Sequence, residues 1–213
     1  MKTAALIDLL VRGAGPVERN AVAKRFATAV VAGTVGALAL MLPIYGPNPQ
    51  LPRLVGEPEF WIKIAFAAAL AAAALVNVAR LAQPGVAIAR SRWLVAAPIA
   101  ALWLFAAFAL AAAAPDGRAA LLIGHTWRTC PFNIALLSLP PLAAGFWALR
   151  GLAPTNPRLA AAVGGVCAGA LGAFVYGFHC PEIAPPFIGV WYVIGIAIPG
   201  ALGVWLGPRL LRW

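Results

Sequence analysis

Charge is the scarcest commodity in this sequence. Only 10% of its 213 residues are charged, against about a quarter in an ordinary soluble domain. Acidic groups number six, Asp8, Glu18, Glu57, Glu59, Asp116 and Glu182, and all fall outside the long apolar runs. That argues against a proton- or ion-coupled transporter, which keeps acidic groups within the membrane. No pair of carboxylates, no Ser-His-Asp arrangement and no phosphate-cradling glycine loop stands out. There are two histidines, His125 and His179, and three cysteines. Neither Cys-x-x-Cys nor the spacing of a zinc finger is present. Nucleic acid is an unpromising partner despite the net charge of +10, because no basic stripe alternates with aromatics on a soluble element.

What is abundant is apolar length. The apolar fraction is 63%, and it comes in blocks near twenty residues, enough to cross a hydrocarbon core about 30 Å thick. A backbone in lipid must satisfy its own polar groups, so these blocks are helices. We expect an all-α integral membrane bundle of six spans, near residues 26–43, 60–78, 93–114, 131–149, 159–178 and 187–206. Pro98, the Pro140-Pro141 pair and Pro199 are expected to bend their spans, and Lys63, one turn inside the second, to snorkel to the interface beside Trp61. Ahead of the spans, residues 1–25 form a basic amphipathic segment in which Leu6, Ile7, Leu10 and Val11 fall at helical spacing. It is too short and too charged for a cleavable signal. Residues 207–213 form a short tail.

Orientation follows from the basic residues. Twelve of the sixteen Lys and Arg fall in the N-terminal segment, the loop after span two, the turn after span four and the tail; three fall in the other loops. Lys and Arg accumulate on the cytoplasmic side, so both termini are expected there. The loops near Cys130 and Cys180 then face outward.

Those two cysteines open the dipeptides Cys130-Pro131 and Cys180-Pro181. Spans four and five make an antiparallel hairpin whose midpoint, Thr155, lies in its turn, so the two thiols should end at the same height. Span five carries Gly165, Gly169 and Gly172, a small-residue stripe that admits a close neighbour, either span four or span six. Cys130 starts a helix beside Arg128, which favours its thiolate; Cys180 ends one. Cys130 is therefore expected to attack and Cys180 to resolve. His125, Cys130, His179, Cys180 and Glu182 also make a candidate soft-metal set, and a static disulfide is the plainer alternative. No obligatory cofactor is implied. Cys167, inside span five, reads as packing.

WRTCP, SLPPLAAGFWALRGLAPTNPRLAAA, FHCPEIAPPFIGVWY and LGPRLLRW resemble the NrsF-type family of bacterial inner-membrane anti-sigma factors. The resemblance implies a non-enzymatic regulator that holds an extracytoplasmic-function sigma factor at the cytoplasmic face. It implies that two periplasmic cysteines, here Cys130 and Cys180, respond to metal or oxidative stress. On that basis Leu6, Ile7 and Leu10 are the expected sigma-docking residues. The rival reading is a membrane thiol-disulfide oxidoreductase or metal carrier using the same cysteines.

Overall fold

The structure is a computed structural model that describes residues 20–83, 91–152 and 154–211, together with Thr3, Ala5, Ile7, Asp8 and Val11. Every regular element among them is helical. The long helices are α1 (Ala21–Ile44), α3 (Pro58–Leu81), α4 (Arg92–Ala112), α8 (Pro157–Tyr176) and α10 (Val193–Leu210). Short helices α2 (Leu51–Leu54) and α5 (Arg118–Ile123) lie in the connections. Helices α6 (Cys130–Leu137) and α7 (Leu139–Arg150) meet at a 40° bend and are together long and apolar enough for one span. Helix α9 (Pro185–Phe187) runs through a π-helical turn, Ile188–Tyr192, into α10. Among the described residues, five helices are long and apolar enough to cross a membrane, or six with the bent pair taken as one span.

The bend at Ser138 has two causes. Pro140 and Pro141 lack N–H groups, so the helix loses donors there. The Ser138 hydroxyl donates back to the carbonyls of Ile134 at 2.5 Å and Ala135 at 3.1 Å. Neighbours fit the bend closely: a Cβ on Gly33 of α1 would lie 2.6 Å from Pro141 Cα. Pro98 and Pro199, by contrast, sit inside uninterrupted helices. The last span, Pro185–Leu210, runs as one helix through the π turn. Its Gly189 carbonyl accepts from Trp103 Nε1 at 3.1 Å.

Helix α8 is the hub. Its small-residue stripe serves both candidate neighbours. Gly165 packs against the Pro199 carbonyl of α10 so closely that any side chain would collide, while Gly172 faces Ile134 and Ser138 of the bent span. Helix α4 lies at the edge, where Trp103, Leu104, Phe105 and Phe108 are each more than half exposed. Uncovered aromatic and aliphatic surface of this extent suits contact with hydrocarbon rather than water.

Two ends of the bundle result. One gathers the connections 45–57, 113–129 and 177–184 and both Cys-Pro dipeptides. The other gathers the start of α1, the ends of α3, α7 and α10, and the start of α8. Arg25 binds the α7 terminus there, and Arg150 Nε donates to Leu210 O at 3.0 Å. The helices overrun the apolar limits expected from hydropathy: α1 begins at Ala21 and α10 ends at Leu210.

Candidate functional site: a buried thiol pair

Cys130 and Cys180 meet. Both side chains are wholly buried in one cluster, close enough for each thiol to act on the other. No disulfide joins them: all three cysteines are free thiols. The meeting arises from local geometry. Cys130 is the first residue of α6, with Pro131 behind it, and its N–H donates to Thr126 O at 2.9 Å. Cys180 follows the last turn of α8, and its N–H donates to Tyr176 O at 2.9 Å. The Thr126 hydroxyl oxygen lies 4.0 Å from Cys180 Sγ. The Tyr192 hydroxyl, at the end of the π turn, is buried near the same sulfur without a hydrogen-bond partner.

The two sulfurs are not equivalent, and the direction of the difference is opposite to the one expected from the helix start. The Cys180 thiol is pulled below its ordinary range, to about 6. The hydrogen bond from Cys130 contributes most; burial opposes it, and the positive charge of Lys63 reinforces it. Cys180 is thus the better thiolate and Cys130 its hydrogen-bond donor. The helix-start argument for Cys130 took no account of Lys63 on another helix, whose Nζ lies 2.9 Å from Cys180 O.

That charge is also not where the sequence suggested. Lys63 does not snorkel outward; it is wholly buried. Its Nζ donates to Cys180 O at 2.9 Å and to Glu182 O at 3.0 Å, and it lies 5.3 Å from the Phe60 ring centroid. A lysine one turn inside a span, at the end poor in basic residues, was the available signal.

The remaining candidates face elsewhere. Glu182 accepts from the His125 N–H at 2.7 Å, with His125 Nδ1 at 3.6 Å, and the imidazole is almost fully exposed. His179 turns away from the thiols to Gly46 O, 3.0 Å from its Nδ1, and packs between Tyr45 and Tyr176. The five-residue metal set is therefore not assembled: among the described residues no three His, Cys, Asp or Glu side chains converge on one point. Cys167 packs in α8, with Sγ 3.6 Å from Ala71 O. Of the docking candidates, Leu6 and Leu10 lie outside the described residues; Ile7 is helical and exposed.

Comparison with known proteins agrees with the sequence resemblance. The chain is 45% identical over 216 residues to the probable anti-sigma-F factor NrsF of Azospira oryzae, covering all of both chains. It is 39% identical over 215 residues to the anti-sigma-F factor NrsF of Caulobacter vibrioides, again over the whole of each. No solved structure matches. The profile of the family described as NrsF, negative regulator of sigma F, matches residues 10–213. With a full-length profile match and two full-length relatives, the chain belongs to the NrsF family of negative regulators of sigma F.

Proposed function

We propose that this protein is a membrane anti-sigma factor that sequesters an extracytoplasmic-function sigma factor at the cytoplasmic face and releases it when the cysteine pair, on the periplasmic side, senses thiol-reactive stress. The contact between the Cys130 and Cys180 thiols carries this reading. It stands at the bundle end opposite the start of α1, and the excess of Lys and Arg supports assigning that opposite end to the cytoplasm.

Of the two stimuli expected, an oxidant suits the geometry better than a metal, because the two buried thiols are neighbours while His125, His179 and Glu182 face away. With a hydroperoxide, the Cys180 thiolate attacks the peroxide oxygen and becomes a sulfenic acid, and the alkoxide leaves with a proton as an alcohol. The Cys130 thiol then displaces the hydroxyl, forming the disulfide and releasing water. The S–S distance closes to about 2.05 Å, drawing the start of α6 toward the connection after α8. The strain reaches the bend at Ser138 and then α7. It shifts sigma-factor affinity only as far as the two packing states differ in affinity for that partner.

The test is a membrane pull-down of the full-length protein before and after hydroperoxide or cadmium treatment, with C130S and C180S alongside. Release from the wild type with concurrent disulfide formation, and retention by both variants, is the expected result. Release by cadmium alone, without a disulfide, would make the stimulus a metal. If no sigma factor co-purifies under any condition, the proposal fails.

A further inference from the structure

Lys63 presents an unusual combination. Its ammonium is wholly buried, yet among the described residues no carboxylate lies within ion-pair distance of it. Glu182, the nearest acidic side chain in sequence to the thiols, is turned to the His125 N–H instead. Only its backbone carbonyl, with that of Cys180, reaches Lys63. A buried ammonium needs hydrogen bonds and an opposing charge to offset its lost hydration. Two carbonyls and the face of Phe60 supply the first. The groups whose charge acts on it are the two sulfurs and, more weakly, the Glu182 carboxylate.

We infer that Lys63 is the positioning residue of the thiol pair: by gripping the carbonyls on either side of Pro181 it holds Cys180 against Cys130, and its charge favours the reduced, anionic form of the pair. The inference rests on the reading of these cysteines as the reactive element. The grip and the charge have separable consequences. Holding the connection in place brings the sulfurs together and promotes the disulfide. The charge speeds attack by Cys180 but stabilises the reduced pair, making its disulfide easier to reduce. The second effect has the opposite sign from mere packing, and so it can be isolated.

The experiment uses full-length protein in detergent, without any sigma factor, so its outcome is independent of whether the protein is an anti-sigma factor. Labelling of each cysteine by methyl methanethiosulfonate is followed by mass spectrometry, and the disulfide is equilibrated in dithiothreitol redox buffers. K63M should slow labelling of Cys180 about tenfold and move the equilibrium toward the disulfide about tenfold, or about 30 mV. K63R, which keeps charge and donors, should restore both to within about threefold of wild type. K63Q keeps donors without charge and so should favour the disulfide at least as strongly as K63M, which also loses the grip; it carries the comparison if K63M does not fold. Wild-type labelling and equilibrium in K63Q would overturn the inference. A shift toward the dithiol would also overturn the charge role, leaving Lys63 a clamp alone.

Discussion

The Arg25 guanidinium closes the end of the helix that the Cys130 span becomes. Its Nε donates to Ala148 O at 2.9 Å, its terminal nitrogen to Trp147 O at 2.9 Å, and its plane lies 4.4 Å from the Trp147 ring centroid. The last carbonyls of a helix lack internal donors and carry partial negative charge, so a cation suits them. Gly151 leaves the space the guanidinium occupies. One end of the broken span thus holds a thiol, and the other holds the residue from which the N-terminal segment departs.

Breaking this contact from either side should give the same result. Arg25→Ala removes the cation, and Gly151→Val displaces it. Each is expected to lower stability by about 1 kcal/mol, and the double variant by little more than either alone. Thermal unfolding of the four proteins in detergent measures the coupling; additive losses would show that the two residues act independently.

Thiol reactivity should follow the Cys180 thiolate. Its thiol is depressed to about 6, chiefly by the hydrogen bond from Cys130. A depressed group stays anionic as pH falls until that value is reached, then gains its proton. Pulse alkylation at neutral pH should therefore modify Cys180 before Cys130, and the Cys180 rate should fall as pH drops through about 6. A rate at Cys180 that rises only above pH 8 would contradict this assignment.

Two glycines offer a paired test of packing. A Cβ at Gly165 would collide with the Pro199 carbonyl, whereas one at Gly145 meets nothing within 4 Å. Gly165→Ala should cost about 1–3 kcal/mol through overpacking. Gly145→Ala should be neutral or gain up to about 1 kcal/mol from helix propensity. Comparing the two melting temperatures separates interhelical contact from intrinsic preference.

Gly124 joins the turn before α6 to the connection after α8. Its φ of +57° suits glycine, and a Cβ would approach Phe187 at 2.7 Å and the Glu182 carboxylate at 2.8 Å. Gly124→Ala should cost about 1–3 kcal/mol and loosen the Glu182 contact with the His125 N–H. Disulfide formation between Cys130 and Cys180, read by gel shift, should slow in parallel.

How much of this was legible in the sequence depends on the range of the interaction. Apolar length and the scarcity of charge determine helices long and apolar enough to cross a membrane, because hydrophobic transfer and backbone satisfaction depend on local composition. The register of Cys130 and Cys180 about Thr155 was readable for a similar reason, since two helices of equal rise joined by a short turn return to the same height. The Pro140-Pro141 break and the close packing of the α8 glycine stripe were local enough to foresee, whereas its use by both neighbours was not. The tertiary structure alone decided the chemistry of the pair. Cys130 and, more weakly, the charge of Lys63 lower the Cys180 thiol, and Lys63 reaches Cys180 across 117 positions in sequence. His179 adjoins Cys180 in sequence but turns to Gly46, because the pocket between Tyr45 and Tyr176 receives its ring. Electrostatics and side-chain direction depend on which distant groups share a buried volume, and only the packed helices bring those groups together.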